Sequence, residues 1–250
     1  MKNKMITEYL DGKRTKDLLK KYDITSYKFY KILKDNNITL IGSGRRNNYP
    51  NVFKHKSNQT DYWLGYIFAD GHLSYKRRSY SIYLSSVQKE VINAFNSFTL
   101  NNCKIYEDIY ETSKGINSCY KAILYDKDIA FYFKNVIGID ENKVRSLNPN
   151  IELNWDIIRG FFDGDGSAHK VRGWTITSSS LIWILRIKNF LLKEGISKIK
   201  INKYLNAYKV CVWDKEELKI LIPKMYANTE NTFYNQNKRL LLNRGIGIYQ

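Results

Sequence analysis

The segment Asp61-Tyr-Trp-Leu-Gly-Tyr-Ile-Phe-Ala-Asp-Gly71 decides the fold, because the chain carries a second copy, Asp156-Ile-Ile-Arg-Gly-Phe-Phe-Asp-Gly-Asp-Gly166. The two copies are identical at four positions, and both are mostly apolar and aromatic. Each copy therefore predicts a buried helix. Both copies end in Asp-Gly, and the glycine predicts that each helix stops at a residue in the left-handed conformation.

The acids that end the two copies are unusual. Asp70 and Asp165 would lie at the C-terminal ends of their helices, where the helix dipole is negative and disfavours a carboxylate. Both copies have an acid at this unfavourable position. A divalent cation would offset the repulsion, so the sequence predicts a metal site that includes both acids.

Small residues predict how the two helices pack. Gly65 and Ala69 in the first copy, and Gly160 and Gly164 in the second, are four positions apart and share one helix face. Two such faces can pack backbone to backbone. If the helices run parallel, their ends meet and the two terminal acids come together.

The paired segments resemble the two signature helices of the LAGLIDADG homing endonucleases. The family motif reads here as Trp63-Leu-Gly-Tyr-Ile-Phe-Ala-Asp-Gly71 and Ile158-Arg-Gly-Phe-Phe-Asp-Gly-Asp-Gly166. The second copy matches better, because Phe68 replaces the inner acid of the motif in the first copy, whereas both copies keep the outer acid. One motif of this kind is weak evidence, but two in register are specific.

The resemblance implies an α+β fold for roughly residues 61–245. Two pseudo-symmetric α/β repeats, each with the order αββαββα, would form a DNA-binding saddle in a single chain that acts as a monomer. Residues 61–150 are assigned to the first repeat and residues 151–250 to the second. The last helix is predicted over residues 232–242.

The resemblance also implies the chemistry, which is metal-dependent hydrolysis of DNA with a staggered double-strand break. Asp70 and Asp165 would be the catalytic acids and the ligands of Mg²⁺ or another divalent cation. The family carries a catalytic lysine in each half, and Lys143 and Lys238 follow the two acids at the same interval. Because the chain holds 41 Lys and Arg residues, the alternative is that both are plain surface lysines.

Composition points to a nucleic-acid partner. The formal charge is +17 and the pI is about 9.6, and such an excess of positive charge favours a polyanion. A membrane is disfavoured, because the sequence has no signal-like start and no run of about eighteen apolar residues. Three cysteines without CxxC spacing predict neither disulfides nor zinc. The expected location is the bacterial cytoplasm, at the nucleoid, with a phage-infected cell or an organelle as alternatives.

The N-terminal residues predict a separate small module over residues 1–44. Three short helices, over residues 4–10, 15–22 and 26–36, have the outline of a helix-turn-helix. The run Tyr9-Leu-Asp-Gly-Lys-Arg-Thr15 resembles the start of small DNA-binding modules in resolvases. The exposed face of the third helix would be offered to a major groove, or would simply be a solvated face of a helical bundle. It carries Ser26, Tyr27, Lys28, Tyr30 and Lys31, of which Tyr27, Lys28 and Lys31 are predicted to bind DNA.

Residues 45–60 lose helical periodicity and predict a basic linker. Arg45 and Arg46 at its start are expected either to lie along the phosphate backbone or to be solvated linker charges. Sequence alone does not choose between these two interpretations.

A basic loop follows each signature helix, at residues 72–78 and 167–172, and an alternating strand follows each loop. Cations and rings beside the predicted acids are expected to contact phosphates and base edges. The alternative is that they only solubilise the outer face of a sheet. His72 and His169 are expected at most to touch phosphate. The residues predicted to bind DNA here are Lys76, Arg77, Arg78, Tyr80, Lys170, Arg172 and Trp174.

The expected partner is double-stranded DNA with a long specific site. Two other functions stay open on the same fold: an intron RNA maturase, with intron RNA as partner, and a transcription regulator that does not cleave. A chromosomal protein that binds DNA without sequence preference is a third possibility. Retention of both outer acids favours the nuclease.

Overall fold

The structure is a computed structural model that describes residues 2–10, 15–36, 51–76, 79–112, 115–139, 147–171, 173–227, 229–230 and 232–248. The chain divides into two compact units, Met1–Pro50 and Asn51–Gln250. Over the described ranges, no helix combines the length and the apolar character needed to cross a membrane.

The first unit contains the three predicted helices, α1 (Lys2–Leu10), α2 (Thr15–Tyr22) and α3 (Ser26–Asp35). Their buried core consists of Met5, Tyr9, Leu18, Phe29 and Leu33. The presence of these helices is confirmed, and their reading as a helix-turn-helix stays a prediction.

The second unit contains two repeats with the same order of elements. The first repeat consists of α4 (Asn58–Asp70), β1 (His72–Lys76), β2 (Ser79–Ser86), α5 (Lys89–Phe98), β3 (Lys104–Thr112), β4 (Gly115–Leu124) and α6 (Lys127–Tyr132), which continues into a π-helical turn over Phe133–Ile137. The second repeat consists of α7 (Trp155–Asp165), β5 (Gly166–His169), β6 (Gly173–Ser178), α8 (Leu181–Lys193), β7 (Ile199–Tyr204), β8 (Ala207–Val212), α9 (Lys215–Met225) and α10 (Gln236–Gly245).

Each repeat forms one four-stranded antiparallel sheet. The strand orders are β1-β2-β4-β3 and β5-β6-β8-β7, so the two sheets have the same topology. Apolar side chains from alternate positions of each sheet face its helices, for example Ile82 and Leu84 in β2 and Val210 and Val212 in β8. The predicted α+β architecture with two pseudo-symmetric repeats is confirmed.

Several predicted boundaries were wrong. The two basic loops are not loops throughout, because β1 and β5 begin directly after the signature helices. The last helix begins at Gln236 and not at Thr232, because the side chain of Asn235 caps it by accepting a hydrogen bond from the main-chain N–H of Lys238. The second part of the predicted linker belongs to the first repeat, where the buried ring of Phe53 contacts Phe98 and Phe133.

The two signature helices, α4 and α7, cross with their backbones in contact. A Cβ atom added to Gly65 would lie 2.1 Å from the main-chain oxygen of Ile157, and one added to Gly160 would lie 1.9 Å from the main-chain oxygen of Tyr62. Further along both helices, a Cβ on Gly164 would lie 2.5 Å from the Cβ of Ala69. The contacting positions advance in the same direction along both helices, so the helices are parallel, as the small residues predict.

The glycines that end the two helices are needed for a different reason from the one predicted. Gly71 and Gly166 have φ values of −72° and −87° and extended backbones, so the prediction of a left-handed stop was wrong. The chain folds back closely on the last turn instead. A Cβ on Gly71 would lie 2.7 Å from atoms of Ile67, and one on Gly166 would lie 2.2 Å from the ring of Phe162. Only glycine leaves room for the immediate start of the following strand.

Gly160→Ala tests the crossing of the signature helices. Although alanine normally favours a helix, the added methyl group would collide with the backbone of α4, and we expect the free energy of unfolding to fall by about 3 kcal/mol. Urea denaturation measures the change. Asn93→Ala, at an exposed position of α5, is the control and should leave stability nearly unchanged. A Gly160→Ala protein as stable as the wild type would contradict this packing.

Candidate functional site

Asp70 and Asp165 end the two parallel helices and lie at one site. A Cβ on Gly164, the residue before Asp165, would be only 3.1 Å from Oδ2 of Asp70. Both carboxylates also act electrostatically on the same two side chains, Tyr66 and Lys238. The helix crossing therefore brings together the two acids that the sequence predicts to share a site.

Lys238 reaches this site from α10. Its Nζ donates to the main-chain oxygens of Phe162, Asp163 and Gly164 at 2.8, 2.7 and 3.3 Å. These are carbonyls of the last turn of α7, where a cation interacts favourably with the helix dipole. Burial lowers the pKa of Lys238, and the carboxylates of Asp163, Asp70 and Asp165 oppose this shift. Its predicted counterpart Lys143 lies outside the described residues.

Asp163 is a buried acid next to this site, and sequence reasoning assigned it no role. Its Oδ2 accepts hydrogen bonds from Oη of Tyr62 at 3.0 Å and from the main-chain N–H of Asn235 at 2.8 Å. Burial raises the pKa of Asp163 to about 6, although these hydrogen bonds and the nearby cations act in the opposite direction. The acid lies on the buried side of α7, whereas Asp165 is exposed. The signal that could have found it is its place as the inner acid of the second motif.

Tyr66 of α4 was also missed. Its ring is buried beside the acids, and burial raises the pKa of its hydroxyl, with Asp70, Asp163 and Asp165 contributing in the same direction. Tyr66 therefore stays neutral at ordinary pH and offers a hydroxyl, not a charge, to this site.

The donor set suits a hard divalent cation. In the described part of the chain, no group of three or more His, Cys, Asp and Glu side chains is arranged to hold a metal. Two carboxylates are nevertheless enough for Mg²⁺, which commonly takes one or two protein carboxylates and completes its shell with substrate phosphate oxygens and water. Asp70 and Asp165 are the residues that could hold it.

The sheets carry basic and aromatic side chains on the face opposite the core. In the first sheet, Tyr83 lies between Ile82 and Leu84 along β2 and therefore points to the opposite face. Its ring stacks on His72, with 4.7 Å between the ring centroids. Nζ of Lys121 lies 5.7 Å from the centre of the same ring. His72 follows Asp70 by two residues, so this open face begins beside the acids.

Each sheet has a lysine over an aromatic ring on this face. In the first sheet, Lys104 pairs with Ile123 and its Nζ lies 5.3 Å from the centre of the Tyr125 ring. In the second sheet, Lys200 pairs with Cys211 and its Nζ lies 5.3 Å from the centre of the Trp213 ring. Sequence reasoning missed these lysines because it predicted the strands without assigning which of their side chains face the helices and which face outward. Among the described residues, the lysines on the open faces include Lys104, Lys121, Lys200 and Lys209.

Two of the residues predicted to contact DNA face the helices and not the open face of their sheet. Trp174 is fully buried and its ring stacks on Phe162, so the prediction of a DNA contact was wrong for this residue. Tyr80 lies half-buried on the helix side of β2, where its ring packs on Phe131 of α6 with 5.3 Å between centroids, and its DNA contact stays a prediction. The reason is strand alternation, because residues next to each other along a strand point to opposite faces.

Some of the other residues predicted to bind DNA are exposed, and others lie outside the residues that the structure describes. Lys170 is exposed in the turn after β5, and Tyr27, Lys28 and Lys31 are exposed on α3. Lys76 ends β1. Outside the described residues lie Arg45, Arg46, Arg77, Arg78 and Arg172.

Comparison with known proteins places these features in a family. The family model for the LAGLIDADG-like domain matches residues 57–138 and 154–226. A search of the curated proteins found no match.

Solved structures with a similar fold include the homing endonuclease I-WcaI bound to its DNA recognition sequence, with 16% identity and a TM-score of 0.48 over 78% of this chain and 97% of that chain. A variant of I-DmoI in complex with its target DNA and in the presence of manganese has 15% identity and a TM-score of 0.47, over 72% and 97% of the two chains. Full-length WhiA from Thermatoga maritima has 14% identity and a TM-score of 0.43, over 78% and 63%.

The family match spans most of both repeats and includes both signature helices. It coincides with the part of the chain in which the structure shows two sheets of equal topology and two parallel helices ending in acids. The chain therefore belongs to the family of LAGLIDADG-like domains.

Proposed function

We propose that the protein is a site-specific DNA endonuclease that makes a metal-dependent, staggered double-strand break by phosphodiester hydrolysis. The observation that carries this proposal is the meeting of two outer acids, Asp70 and Asp165, at the end of a parallel helix pair. A purely binding protein has no need for two carboxylates at a negative helix end, least of all on a surface meant for phosphates.

The chemistry follows from the residues at this site. The two acids would hold Mg²⁺ or another divalent cation, which supplies charge stabilisation at the scissile phosphate and a more acidic water. The ammonium group of Lys238 adds positive charge beside them, where negative charge builds on the phosphate during hydrolysis. Lys143 is the corresponding candidate in the first repeat.

The open faces of the two sheets are the proposed DNA interface. Antiparallel ribbons fit the major groove, and lysines over aromatic rings on those ribbons can reach phosphates while neighbouring polar side chains read base edges. One chain with two repeats would cover a long site as a monomer. The N-terminal helices would lengthen the site through Tyr27, Lys28 and Lys31 if they act as a helix-turn-helix.

Asp70→Asn and Asp165→Asn test the assignment of the acids. Asparagine keeps the shape but loses the charge that would hold a cation, so we expect double-strand cleavage to fall by roughly 10²- to 10³-fold while binding of the target duplex is retained. The assay is linearisation of a plasmid that carries the uninterrupted sequence of the gene's own insertion site, in Mg²⁺ and in EDTA. Asp128→Asn, at an exposed position of α6, is the control.

Three results would contradict this proposal. Cleavage by both asparagine variants at the wild-type rate would rule out these acids. Tight, specific duplex binding without cleavage in any divalent cation would indicate a regulator. Preference for intron RNA over the duplex would indicate a maturase.

Lys104→Ala and Lys200→Ala test the open faces as the DNA interface. Each removed phosphate contact should reduce the slope of log K against log salt by about 0.9, and a double variant should lose about twice that. Fluorescence anisotropy with the specific duplex at several salt concentrations measures the slope. Lys193→Ala is the control, because Lys193 is exposed at the end of α8. Unchanged slopes in both open-face variants would place the DNA on another surface.

A further inference from the structure

The two signature helices differ in chemistry at the position of the motif's inner acid, which is buried in both helices. In α4 this position is Phe68, whose ring packs edge-to-face on Trp183 at 5.8 Å. In α7 it is Asp163, which is 4% exposed. A buried carboxylate is costly unless hydrogen bonds compensate for the lost water, so its partners show what the exchange of Phe for Asp provides.

Asp163 joins α4 to the segment that leads into α10. Oδ2 of Asp163 accepts from Oη of Tyr62, on the facing signature helix, and from the main-chain N–H of Asn235. Asn235 is the N-cap of α10, and its side-chain oxygen accepts from the main-chain N–H of Lys238 at 3.1 Å. A continuous line of hydrogen bonds therefore runs from α4 through Asp163 to the first turn of α10.

The side-chain ammonium of Lys238 is held by α7, the helix that carries Asp163. Its Nζ donates to the carbonyls of Phe162, Asp163 and Gly164, and it lies over the ring of Phe162 at 5.3 Å. The main chain of the lysine is thus fixed by the side chain of Asp163 through Asn235, and its ammonium by the backbone around Asp163. Both attachments hold the ammonium beside Asp70 and Asp165.

We propose that Asp163 is a positioning residue that holds α10 so that Lys238 stays at the shared acid site, and that this support serves only one of the two strand cleavages. The inference rests on the proposed nuclease function. At the position equivalent to Asp163 the first repeat has Phe68, whose side chain cannot accept a hydrogen bond, so this carboxylate is present in only one of the two signature helices. The two strand cleavages therefore depend differently on Asp163.

Asp163→Leu and Asp163→Asn separate a hydrogen-bond acceptor from a charge. Leucine removes the acceptor, and we expect one strand to be cut on the order of 10- to 100-fold more slowly in single turnover, so that nicked circles accumulate. Asparagine can put its oxygen where Oδ2 lies and its amide where Oδ1 lies, an atom that accepts no hydrogen bond within the described structure. The asparagine variant should therefore cut both strands at close to wild-type rates. Strand-specific end labels measure the two rates.

A second pair of variants tests the same link from the other side. Asn235 has φ −78°, a value that proline adopts, so Asn235→Pro removes the N–H that binds Asp163 and keeps this φ angle. Asn235→Ala also loses the side-chain cap but keeps that N–H. We expect Asn235→Pro to show the strand bias of Asp163→Leu and Asn235→Ala to show much less. This pair decides the question if Asp163→Leu does not fold.

A readout that does not need cleavage is the reactivity of Lys238. Reductive methylation followed by mass spectrometry, on the full chain without DNA, should modify Lys238 slowly in the wild type and at least severalfold faster in Asp163→Leu and Asn235→Pro, because the ammonium loses its three carbonyl partners. Exposed Lys193 serves as the internal reference. Phe68→Leu, the matched change in the first repeat, should lower the melting temperature and slow both strands alike.

Equal slowing of both strands in Asp163→Leu, with unchanged reactivity of Lys238, would overturn the proposal. A wild-type protein that cuts neither strand would overturn the nuclease function instead. In that case the methylation rates would still decide whether Asp163 holds Lys238.

Discussion

The backbone contact between α4 and α7 is the constraint on which the rest of the structure depends. Gly65 and Gly160 each lie so close to the facing helix that no side chain could be accommodated at either position. Helices that touch at their backbones bring their ends closer than helices separated by side chains. The convergence of Asp70 and Asp165 is a consequence of this contact, and so is the placement of one sheet on each side of it.

The pseudo-symmetry of the two repeats is broken in their buried polar groups. Arg159 in α7 is 1% exposed and donates to Met225, Asp156 and Thr232, whereas the equivalent residue of α4, Leu64, is apolar. Asp163 adds a second polar group on the same helix. The second repeat thus fastens its C-terminal segment to the signature helix by hydrogen bonds, and the first repeat packs its signature helix through aromatic and aliphatic side chains.

Under the proposed function this asymmetry matters, because the segment that is hydrogen-bonded to α7 carries Lys238. A duplicated fold gives two similar halves of a site, but each half is tuned by its own buried residues. Under the proposed nuclease function, a site whose two acids are shared and whose buried Asp163 belongs to one half would treat the two strands of a duplex differently. The shared helix interface would then supply the chemistry, and the unshared polar groups the difference between strands.

Much of this could be predicted from the sequence. Helices over the two copies follow from their apolar pattern, and their parallel packing follows from glycine and alanine spaced four apart. The meeting of Asp70 and Asp165 follows from that packing, and the interval from Asp165 pointed to Lys238. These features are local or duplicated, so a pattern within the chain carries them.

Only the tertiary structure decided which side chains face the core and which face outward. Trp174 and Tyr80 sit beside basic residues in the sequence, but strand alternation turns Trp174 against Phe162 and Tyr80 against Phe131. The pairing of Asp163 with Tyr62 and Asn235 joins residues far apart in the chain, so no local pattern could show it. The sequence by itself determined the two helices and their acids, because spacing along one helix is enough to define a face. The supports around them depend on three-dimensional proximity, which arises only when the whole chain is packed.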